Sequence, residues 1–227
     1  MRRYDYLRDP AAIYARSFEL VRACTDLSAV PSALEAVALR LVHASANPAV
    51  VSELAWSKQV AEVTCAALAA GAPVLTDCQM LAHGITRASL PAANEVICTL
   101  DDERVPGLAA EQQTTRPAAA LELWAAHLDG AVVAIGNAPT ALFRLLEIMS
   151  APGPRPASIL AFPVGFVGAA ESKDALVADA GDLEYLTLLG RAGGSATAAA
   201  AVNAFAGQRS EEHTSELQSQ FRISYAV

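Results

Sequence analysis

Gly130-Ala-Val-Val-Ala-Ile-Gly136 is a short, continuously apolar run, and the turn Asn137-Ala-Pro-Thr140 follows it directly. A run of this length, rich in aliphatic residues, is typical of a strand that is buried on both of its faces. The asparagine and the proline are typical of a capping turn, and they predict a helix over residues 141–149. The stretch therefore predicts a strand followed by a helix, which is the repeating unit of a parallel sheet.

The same alternation of apolar runs and helical segments recurs on both sides of this unit. The other predicted strands are Pro73 to Thr76, Asn94 to Leu100, Ser158 to Phe162 and Glu184 to Leu189. The helices predicted among them are Gln79 to His83, Thr115 to Leu128, Ala141 to Met149, Ser172 to Ala180 and Gly194 to Ala206. Together these elements predict an α/β fold: a three-layer α/β/α domain with a mostly parallel sheet of about five strands.

Three further helices are predicted before the first of these strands. Asp9-Pro10 marks the start of the first helix, which ends near Asp26. Pro31-Ser32 starts the second, which Pro48 ends, and a third covers residues 57–70. Proline at a first helical position and glycine after a last one are the expected boundary signals. These helices should form an N-terminal extension that packs against the sheet.

The carboxyl ends of the strands are where such sheets bind their ligands. In this chain those ends hold Thr76-Asp77, Gly136-Asn137, Pro163-Val-Gly165 and Gly190-Arg-Ala-Gly-Gly194. The last stretch could bind a carboxylate or a phosphate at a helix N-terminus, or it could be a plain tight turn.

The composition restricts the classes of function that remain. The chain has 227 residues, 53% of them hydrophobic, and a formal net charge of −8. This acidity argues against nucleic-acid binding, and the longest uncharged apolar run, residues 156–170, is too short for a membrane span. No apolar targeting segment follows Met1, so we expect a cytoplasmic protein without a membrane partner.

Metal and nucleotide motifs are missing from the sequence. Cys24, Cys65, Cys78 and Cys98 are not spaced as metal ligands, so we expect buried free thiols and no metal. Residues 190–195 lack the spacing and the lysine of a phosphate-binding loop, and no GxGxxG follows the first strand of the sheet. GxSxG and HExxH are also absent, and no nucleotide cofactor is expected.

Arg40 and His43 are the two residues that most resemble a chemical centre. They are three apart in the apolar pattern of the second predicted helix, so their side chains share one face. Arg40 brings a permanent positive charge, and His43 brings a proton that can move near neutral pH. His43 is placed in the last helical turn, where carbonyl dipoles favour the imidazolium form. Alone, such a pair is more often structural than catalytic.

The other two histidines of the domain give weaker signals. His127 comes late in a predicted helix beside Trp124 and Leu128, and we expect it to be packed. His83 precedes a turn after the first strand of the sheet, and it either lines a cleft or caps the surface.

The C-terminal segment differs from the rest of the chain. Residues 209–227 are polar and show neither helical nor strand periodicity. The string Arg209-Ser-Glu-Glu-His-Thr-Ser-Glu-Leu-Gln-Ser219 resembles the translation of a common sequencing adapter. We therefore expect one domain over residues 1–208 and a non-native tail over 209–227, and we exclude the tail from the fold and the function.

Eight stretches, in order along residues 6–206, resemble the precorrin-8X methylmutases of cobalamin biosynthesis. They are Tyr14-Ala-Arg-Ser17-Phe18, Arg40-Leu-Val-His43-Ala44, Gly71-Ala-Pro-Val-Leu-Thr-Asp77, Gly84-Ile-Thr-Arg87, Thr115-Arg116-Pro-Ala-Ala-Ala120, Ala134-Ile-Gly-Asn-Ala-Pro-Thr-Ala-Leu142, Pro163-Val-Gly-Phe-Val-Gly-Ala-Ala-Glu-Ser-Lys173 and Gly190-Arg-Ala-Gly-Gly-Ser195. The chain departs from the family pattern after the His-Ala pair, where it has Ser45-Ala46-Asn47-Pro48.

The resemblance implies an isomerase that moves a methyl group from C-11 to C-12 of precorrin-8X and yields hydrogenobyrinate. It implies that His43 is the proton donor and acceptor, that Ser17 and Arg40 contact the substrate, and that no cofactor is needed. Thr86 and Arg116, in two other matching stretches, are candidates for further substrate contacts. A homodimer that binds a corrinoid tetrapyrrole is also implied.

Two other functions remain open at the level of the sequence. One is a corrinoid-binding carrier that holds hydrogenobyrinate without turnover, and the other is a generic nucleotide-binding α/β domain. The missing phosphate motifs count against the second. Whether the natural substrate carries cobalt is not fixed by these residues.

Overall fold

The computed structural model describes residues 4–207, which form one six-stranded sheet covered by helices on both faces. The strands are β1 (Leu54–Trp56), β2 (Val74–Thr76), β3 (Val96–Ile97), β4 (Val132–Ile135), β5 (Ser158–Ala161) and β6 (Glu184–Leu188). Their spatial order is β1-β6-β5-β4-β2-β3. The predicted α/β class and the five predicted strands are confirmed, although β3 is much shorter than predicted.

Strand β1 was not predicted from the sequence. It pairs antiparallel with β6, with Leu54 opposite Leu188 and Trp56 opposite Leu186, while every other recorded strand pair of residues 4–207 is parallel. It has only three residues, all half-buried, so it carries neither a long apolar run nor a clear alternation. The sheet therefore has an antiparallel edge on an otherwise parallel core.

The helices are α1 (Pro10–Cys24), α2 (Ser32–Ser45), α3 (Val60–Ala69), α4 (Gln79–Gly84), α5 (Val105–Glu111), α6 (Arg116–Ala120), α7 (Pro139–Met149), α8 (Ala169–Asp179) and α9 (residues 195–207). Three short 3-10 helices lie at Pro48–Glu53, Arg87–Ser89 and Leu121–Trp124. The helix predicted over residues 115–128 is therefore α6 followed by a 3-10 helix that ends at Trp124. Helix α5 was not predicted, because it is short and contains Pro106 and Gly107.

Alternate residues of each central strand point to two separate apolar cores. In β4, Val132 and Ala134 belong to the core beneath α2, α3 and α9, whereas Val133 and Ile135 belong to the core beneath α7 and α8. This is the two-residue period of a strand that is buried on both faces. All four residues have no exposed surface, which explains the continuous apolar run in the sequence.

The N-terminal helices lie on one side of the sheet in successive layers. Helix α3 packs directly on β4, β5 and β6, and α2 packs on α3. Helix α1 packs against α2 and has no buried residue. Its start is fixed locally, because the Asp9 side chain accepts a hydrogen bond from the Ala12 N–H at 2.7 Å and Pro10 follows at the first helical position.

Two smaller expectations are wrong. Cys24 is exposed, whereas Cys78 is buried and Cys65 and Cys98 are half-buried, and within residues 4–207 these four cysteines form no disulfide. His127 is exposed, because the helix predicted to pack it ends at Trp124 and the chain then turns away.

Two further predictions concern a membrane span and the C-terminal tail. Within residues 4–207, no helix has the length and apolar character that a bilayer crossing requires. The predicted non-native tail, residues 209–227, lies outside the described residues.

Candidate active site

Arg40 and His43 lie on the outward side of helix α2, as their spacing predicted. Leu39, Leu41 and Val42 between and beside them are buried, so the polar pair is turned away from the core. His43 is in the last turn of the helix, which ends where Ala46 adopts a left-handed conformation (φ 51°). Arg40 is half-buried and His43 is exposed, so both side chains are accessible from one side.

Helix α1 supplies the groups that hold the His43 ring. The Ser17 hydroxyl lies 3.0 Å from His43 Nδ1. The Phe18 ring stacks on the imidazole with 4.9 Å between centroids and 18° between planes. A hydrogen bond at one ring nitrogen and an aromatic face against the ring fix the orientation of the imidazole. Nε2 is then the nitrogen that remains for a ligand.

The Arg40 guanidinium is held by aromatic side chains of the same helix. Arg40 Nη2 donates to the Tyr14 hydroxyl at 2.9 Å, and its Cζ lies 5.1 Å from the centre of the Phe18 ring. Among residues 4–207, the recorded ion pairs do not include Arg40. An arginine that rests on aromatic rings keeps most of its donors and its full charge for an anionic ligand.

A large open cavity of about 1160 Å³ begins at these two side chains. Its described lining comes from α2, from the segment after α4 and from one side of α9: Arg40, His43, Ala44, Gly84, Thr86, Ala88, Ser89, Leu90, Pro91, Ala196, Ala199, Ala200, Asn203, Ala206 and Gly207. We call it the α2–α9 cavity. None of these residues is acidic, and the α9 side presents mainly alanine. The cavity therefore offers a positive end and a smooth, mostly apolar wall.

Thr86 is brought to this cavity, whereas Arg116 is not among its described lining residues. Arg116 is exposed at the start of α6, where its Nη2 lies 3.3 Å from the Leu100 carbonyl oxygen and 3.5 Å from Asp101 Oδ1. The substrate contact predicted for Arg116 thus has no support from its position, and it stays a prediction.

The carboxyl ends of the strands come together, but their polar groups bind one another. The buried Asp77 carboxylate accepts from the N–H groups of Gly136, Asn137 and Ala138 at 3.0, 2.9 and 2.7 Å. Burial raises the pKa of Asp77 above its ordinary value, and these three N–H groups act in the opposite direction. Asp77 therefore fixes the turn between β4 and α7.

The glycine-rich stretch 190–194 is also tied into the structure. Lys173 of α8 has no exposed surface, and its Nζ donates to the Ala192 carbonyl oxygen at 2.7 Å. Burial lowers the pKa of Lys173 to about 8. The N–H of Gly194 donates to the Phe162 carbonyl oxygen at 2.8 Å. The turn interpretation of this stretch agrees with these contacts.

Sequence reasoning gave no role to three residues that shape the site. Tyr14 lies three residues before Ser17 and four before Phe18, so a common helix face could have been anticipated. Asn203 lines the cavity from α9 and bonds to the segment after α4, more than a hundred residues away. No local sequence pattern predicts such a contact.

No metal centre is built into the described part of the chain. Residues 4–207 contain no group of three or more His, Cys, Asp or Glu side chains that could hold a metal ion.

The mostly parallel sheet, covered on both faces, and its flanking cavity define an α/β domain with a large open cavity beside α2 and α9. A family model described as precorrin-8X methylmutase matches residues 12–208. The precorrin-8X methylmutase of Pseudomonas aeruginosa is 55% identical over 205 residues, which cover 90% of this chain and 99% of the relative. That of Sinorhizobium sp is 54% identical over 206 residues, which cover 91% and 98%.

A solved structure of precorrin-8X methyl mutase from Thermus thermophilus has the same fold. It superposes with a TM-score of 0.78 at 34% identity, covering 86% of this chain and 94% of that one. The chain therefore belongs to the precorrin-8X methylmutase family, which consists of isomerases of cobalamin biosynthesis.

Proposed function

We propose that the protein moves a methyl group from C-11 to C-12 of precorrin-8X to give hydrogenobyrinate, with His43 as the proton donor and acceptor. The observation that carries this proposal is the Ser17–His43–Arg40 cluster at one end of the α2–α9 cavity. The family assignment and the names of the Pseudomonas aeruginosa and Sinorhizobium relatives support the same reaction. Those names also favour the metal-free substrate.

His43 is suited to give a proton from Nε2. As the imidazolium, His43 donates its Nδ1–H to the Ser17 hydroxyl oxygen and carries a second proton on Nε2, on the side away from α1; giving that proton leaves a neutral ring. A migrating methyl group needs no nucleophile, but it needs the macrocycle held in a reactive tautomer. The product is an isomer of the substrate, so the macrocycle must release one proton for the one that it receives, and His43 must be reprotonated from the macrocycle or from solvent before the next cycle.

Arg40 is suited to hold a peripheral carboxylate of the substrate. Its guanidinium can make two parallel hydrogen bonds to one carboxylate, and no acidic residue among the described cavity lining competes for it. Ligand cavities commonly measure roughly 300–1,000 Å³, so a cavity of about 1160 Å³ suits a tetrapyrrole better than a small metabolite. Thr86 is proposed as a further contact, since it lines the same cavity.

The test measures the turnover of precorrin-8X and the binding of hydrogenobyrinate in one preparation of the His43→Asn variant. General acid–base catalysis contributes about 10²- to 10⁴-fold, so we expect hydrogenobyrinate formation, followed by its absorbance, to fall by about that factor. Because His43 is exposed, the melting temperature should hardly change. Hydrogenobyrinate should still bind, because Arg40 and the cavity wall are intact.

His127→Asn is the matched control, since His127 is also exposed and does not line the cavity. Normal turnover by His43→Asn would remove His43 from the reaction. Tight binding of hydrogenobyrinate by the wild-type protein without any turnover would instead favour a carrier.

We also propose that the protein is a homodimer. The N-terminal segment exposes Tyr6, Leu7, Ile13 and Leu20, and α1 has no buried residue. Such an apolar surface favours association. Sedimentation of the purified chain should give a dimer, and Ile13→Asp with Leu20→Asp should shift it to the monomer. A wild-type monomer at micromolar concentration would contradict the proposal.

A further inference from the structure

The segment from Gly84 to Pro91 forms one wall of the α2–α9 cavity, and α9 holds its start through Asn203. Asn203 Nδ2 donates to the Gly84 carbonyl oxygen at 3.0 Å, and Asn203 Oδ1 accepts from the Thr86 N–H at 2.8 Å. One side-chain amide thus satisfies two backbone groups at the point where α4 ends. Thr86 itself is exposed to the cavity.

Gly84 lies directly on the same helix. A Cβ built at Gly84 would be 2.8 Å from the Ala199 Cβ, a distance that real Cβ atoms do not tolerate. Ala199 is one turn before Asn203 on α9. The two contacts therefore act together, and the backbone at Gly84 sits directly against α9 because Gly84 has no side chain.

A second asparagine holds the other end of the segment. Asn94 Nδ2 donates to the carbonyl oxygens of Leu68 and Ala72, both at 2.8 Å, and Asn94 Oδ1 accepts from the Ala92 N–H at 3.1 Å. Thr86, Ala88 and Ser89, between the two anchors, are exposed and line the cavity. The wall is thus fixed at both ends while its middle faces the space for the ligand.

We infer that Asn203 is a positioning residue. It fixes the positions of the substrate-binding wall and of the Thr86 side chain through the backbone of residues 84–86. This inference rests on the proposed function, because it assigns Asn203 to the binding of the same macrocyclic substrate. Asn203 need not touch the reacting atoms. Its effect reaches the ligand through Thr86, which should contact substrate and transition state alike.

Asn203→Leu removes both hydrogen bonds with little change of volume and no change of charge. A neutral hydrogen bond contributes about 1 kcal/mol, so we expect KM for precorrin-8X to rise about 5- to 30-fold. The value of kcat should stay within about twofold, since binding that is equal in the ground and transition states affects KM alone.

Asn47→Leu is the matched control. Asn47 accepts one backbone N–H, from Ala49, and it does not line the cavity. This variant should lose some stability and keep the wild-type KM. An unchanged KM in Asn203→Leu would overturn the inference. An equal rise of KM in Asn203→Leu and Asn47→Leu would also overturn it.

A double-mutant cycle separates positioning from direct contact. If Asn203 acts through Thr86, then Thr86→Val and Asn203→Leu remove the same interaction, and the double variant should have a KM close to that of the worse single variant. Additive effects of the two substitutions would mean that Asn203 contacts the ligand independently, which would overturn the inference.

Gly84→Ala moves the wall without touching the asparagine. The added methyl group must displace the segment from α9, so KM should again rise while kcat is retained. Gly107→Ala is its control, because a Cβ there meets nothing within 4 Å. If Asn203→Leu does not fold, a normal KM in Gly84→Ala overturns the inference by itself. Absence of wild-type turnover would instead refute the proposed function.

Discussion

Two cavities lie on opposite faces of the sheet, and they differ in charge. The α2–α9 cavity measures about 1160 Å³, and its described lining contains Arg40 and His43 but no acidic residue. The second cavity, here called the α7–α8 cavity, measures about 730 Å³ and is lined by Phe143, Leu146, Glu147, Met149, Ser150, Arg155, Ala175, Asp179, Ala180, Gly181, Asp182 and Leu183. Among its described lining residues Arg155 is the only cation, and it is paired with Asp182 at 3.2 Å.

The difference shows that an acidic protein can present a cavity whose described lining carries an arginine and no acidic residue. The chain carries a formal net charge of −8, yet the groups around one cavity set its local field. The α7–α8 cavity, in contrast, has acidic side chains in its lining, and the helices around it pack on one of the two cores of the fold. Helix α7 buries Ala141, Leu142, Leu145 and Met149, whereas α1, which contacts Arg40 and His43, buries none. Both faces of the sheet carry a core, but the core beneath α7 and α8 should therefore contribute to stability without contributing to ligand binding.

The largest effect on stability should come from the α7–α8 face. Leu142 has no exposed surface, and Leu142→Ala should lower the free energy of unfolding by about 2–5 kcal/mol. At temperatures where the variant is folded, KM and kcat should stay near the wild-type values. Urea unfolding and steady-state kinetics measure the two quantities. A large change of KM in the folded variant would mean that the α7–α8 face also affects ligand binding.

The next effect should come from the positive end of the α2–α9 cavity. Arg40→Gln removes a charged donor, and hydrogen bonds to charged groups contribute about 1.5–3 kcal/mol. We therefore expect KM to rise about 10- to 100-fold, with the free energy of unfolding nearly unchanged, because Arg40 has no recorded ion pair among residues 4–207.

Arg155→Gln is the control in the other cavity. Arg155 pairs with the exposed Asp182, so the substitution should hardly affect KM. If Arg155→Gln raised KM as much as Arg40→Gln did, the ligand would have been assigned to the wrong cavity.

The smallest effect concerns the buried lysine of α8. The pKa of Lys173 is lowered from 10.5 to about 8 in the folded protein. Below about pH 8 both states are protonated and the folded protein bears the full cost of a buried ammonium group. Between about pH 8 and 10.5 the folded state releases a proton that the unfolded state keeps, so stability rises with pH.

Lys173→Met provides the reference for this pH dependence. Relative to that variant, the wild-type protein should gain about 1 kcal/mol between pH 8 and pH 9. Denaturant unfolding at the two pH values measures the difference, and subtraction cancels the other titrating groups. A difference that is constant with pH would mean that the Lys173 amine is not desolvated in the folded protein.

Most of the fold could be predicted because its central strands are buried on both faces. Residues 132–135 and 158–161 have to be apolar or well paired along their whole length, and the helices that follow them carry clear boundary residues. β1 and α5 could not be predicted, because a three-residue edge strand and a seven-residue helix with Pro106 are formed by tertiary contacts rather than by local pattern.

The candidate site could be predicted only where it is local. The spacing of Arg40 and His43 gave their common face, while Ser17 was suggested by the family resemblance alone. The structure places its hydroxyl 3.0 Å from His43 Nδ1. Asn203 could not be found, since its bonds to residues 84 and 86 join distant segments. The expectation that a ligand lies at the carboxyl ends of the strands stays a prediction, although polar groups there bind one another, as Asp77 and Gly136 do.

A structure of the protein with hydrogenobyrinate bound is the most direct test of the proposed site. We expect the ring in the α2–α9 cavity, with His43 Nε2 facing it and Arg40 within about 3 Å of a peripheral carboxylate. The ligand in the α7–α8 cavity, or at residues 190–194 with His43 and Arg40 unchanged, would contradict the account.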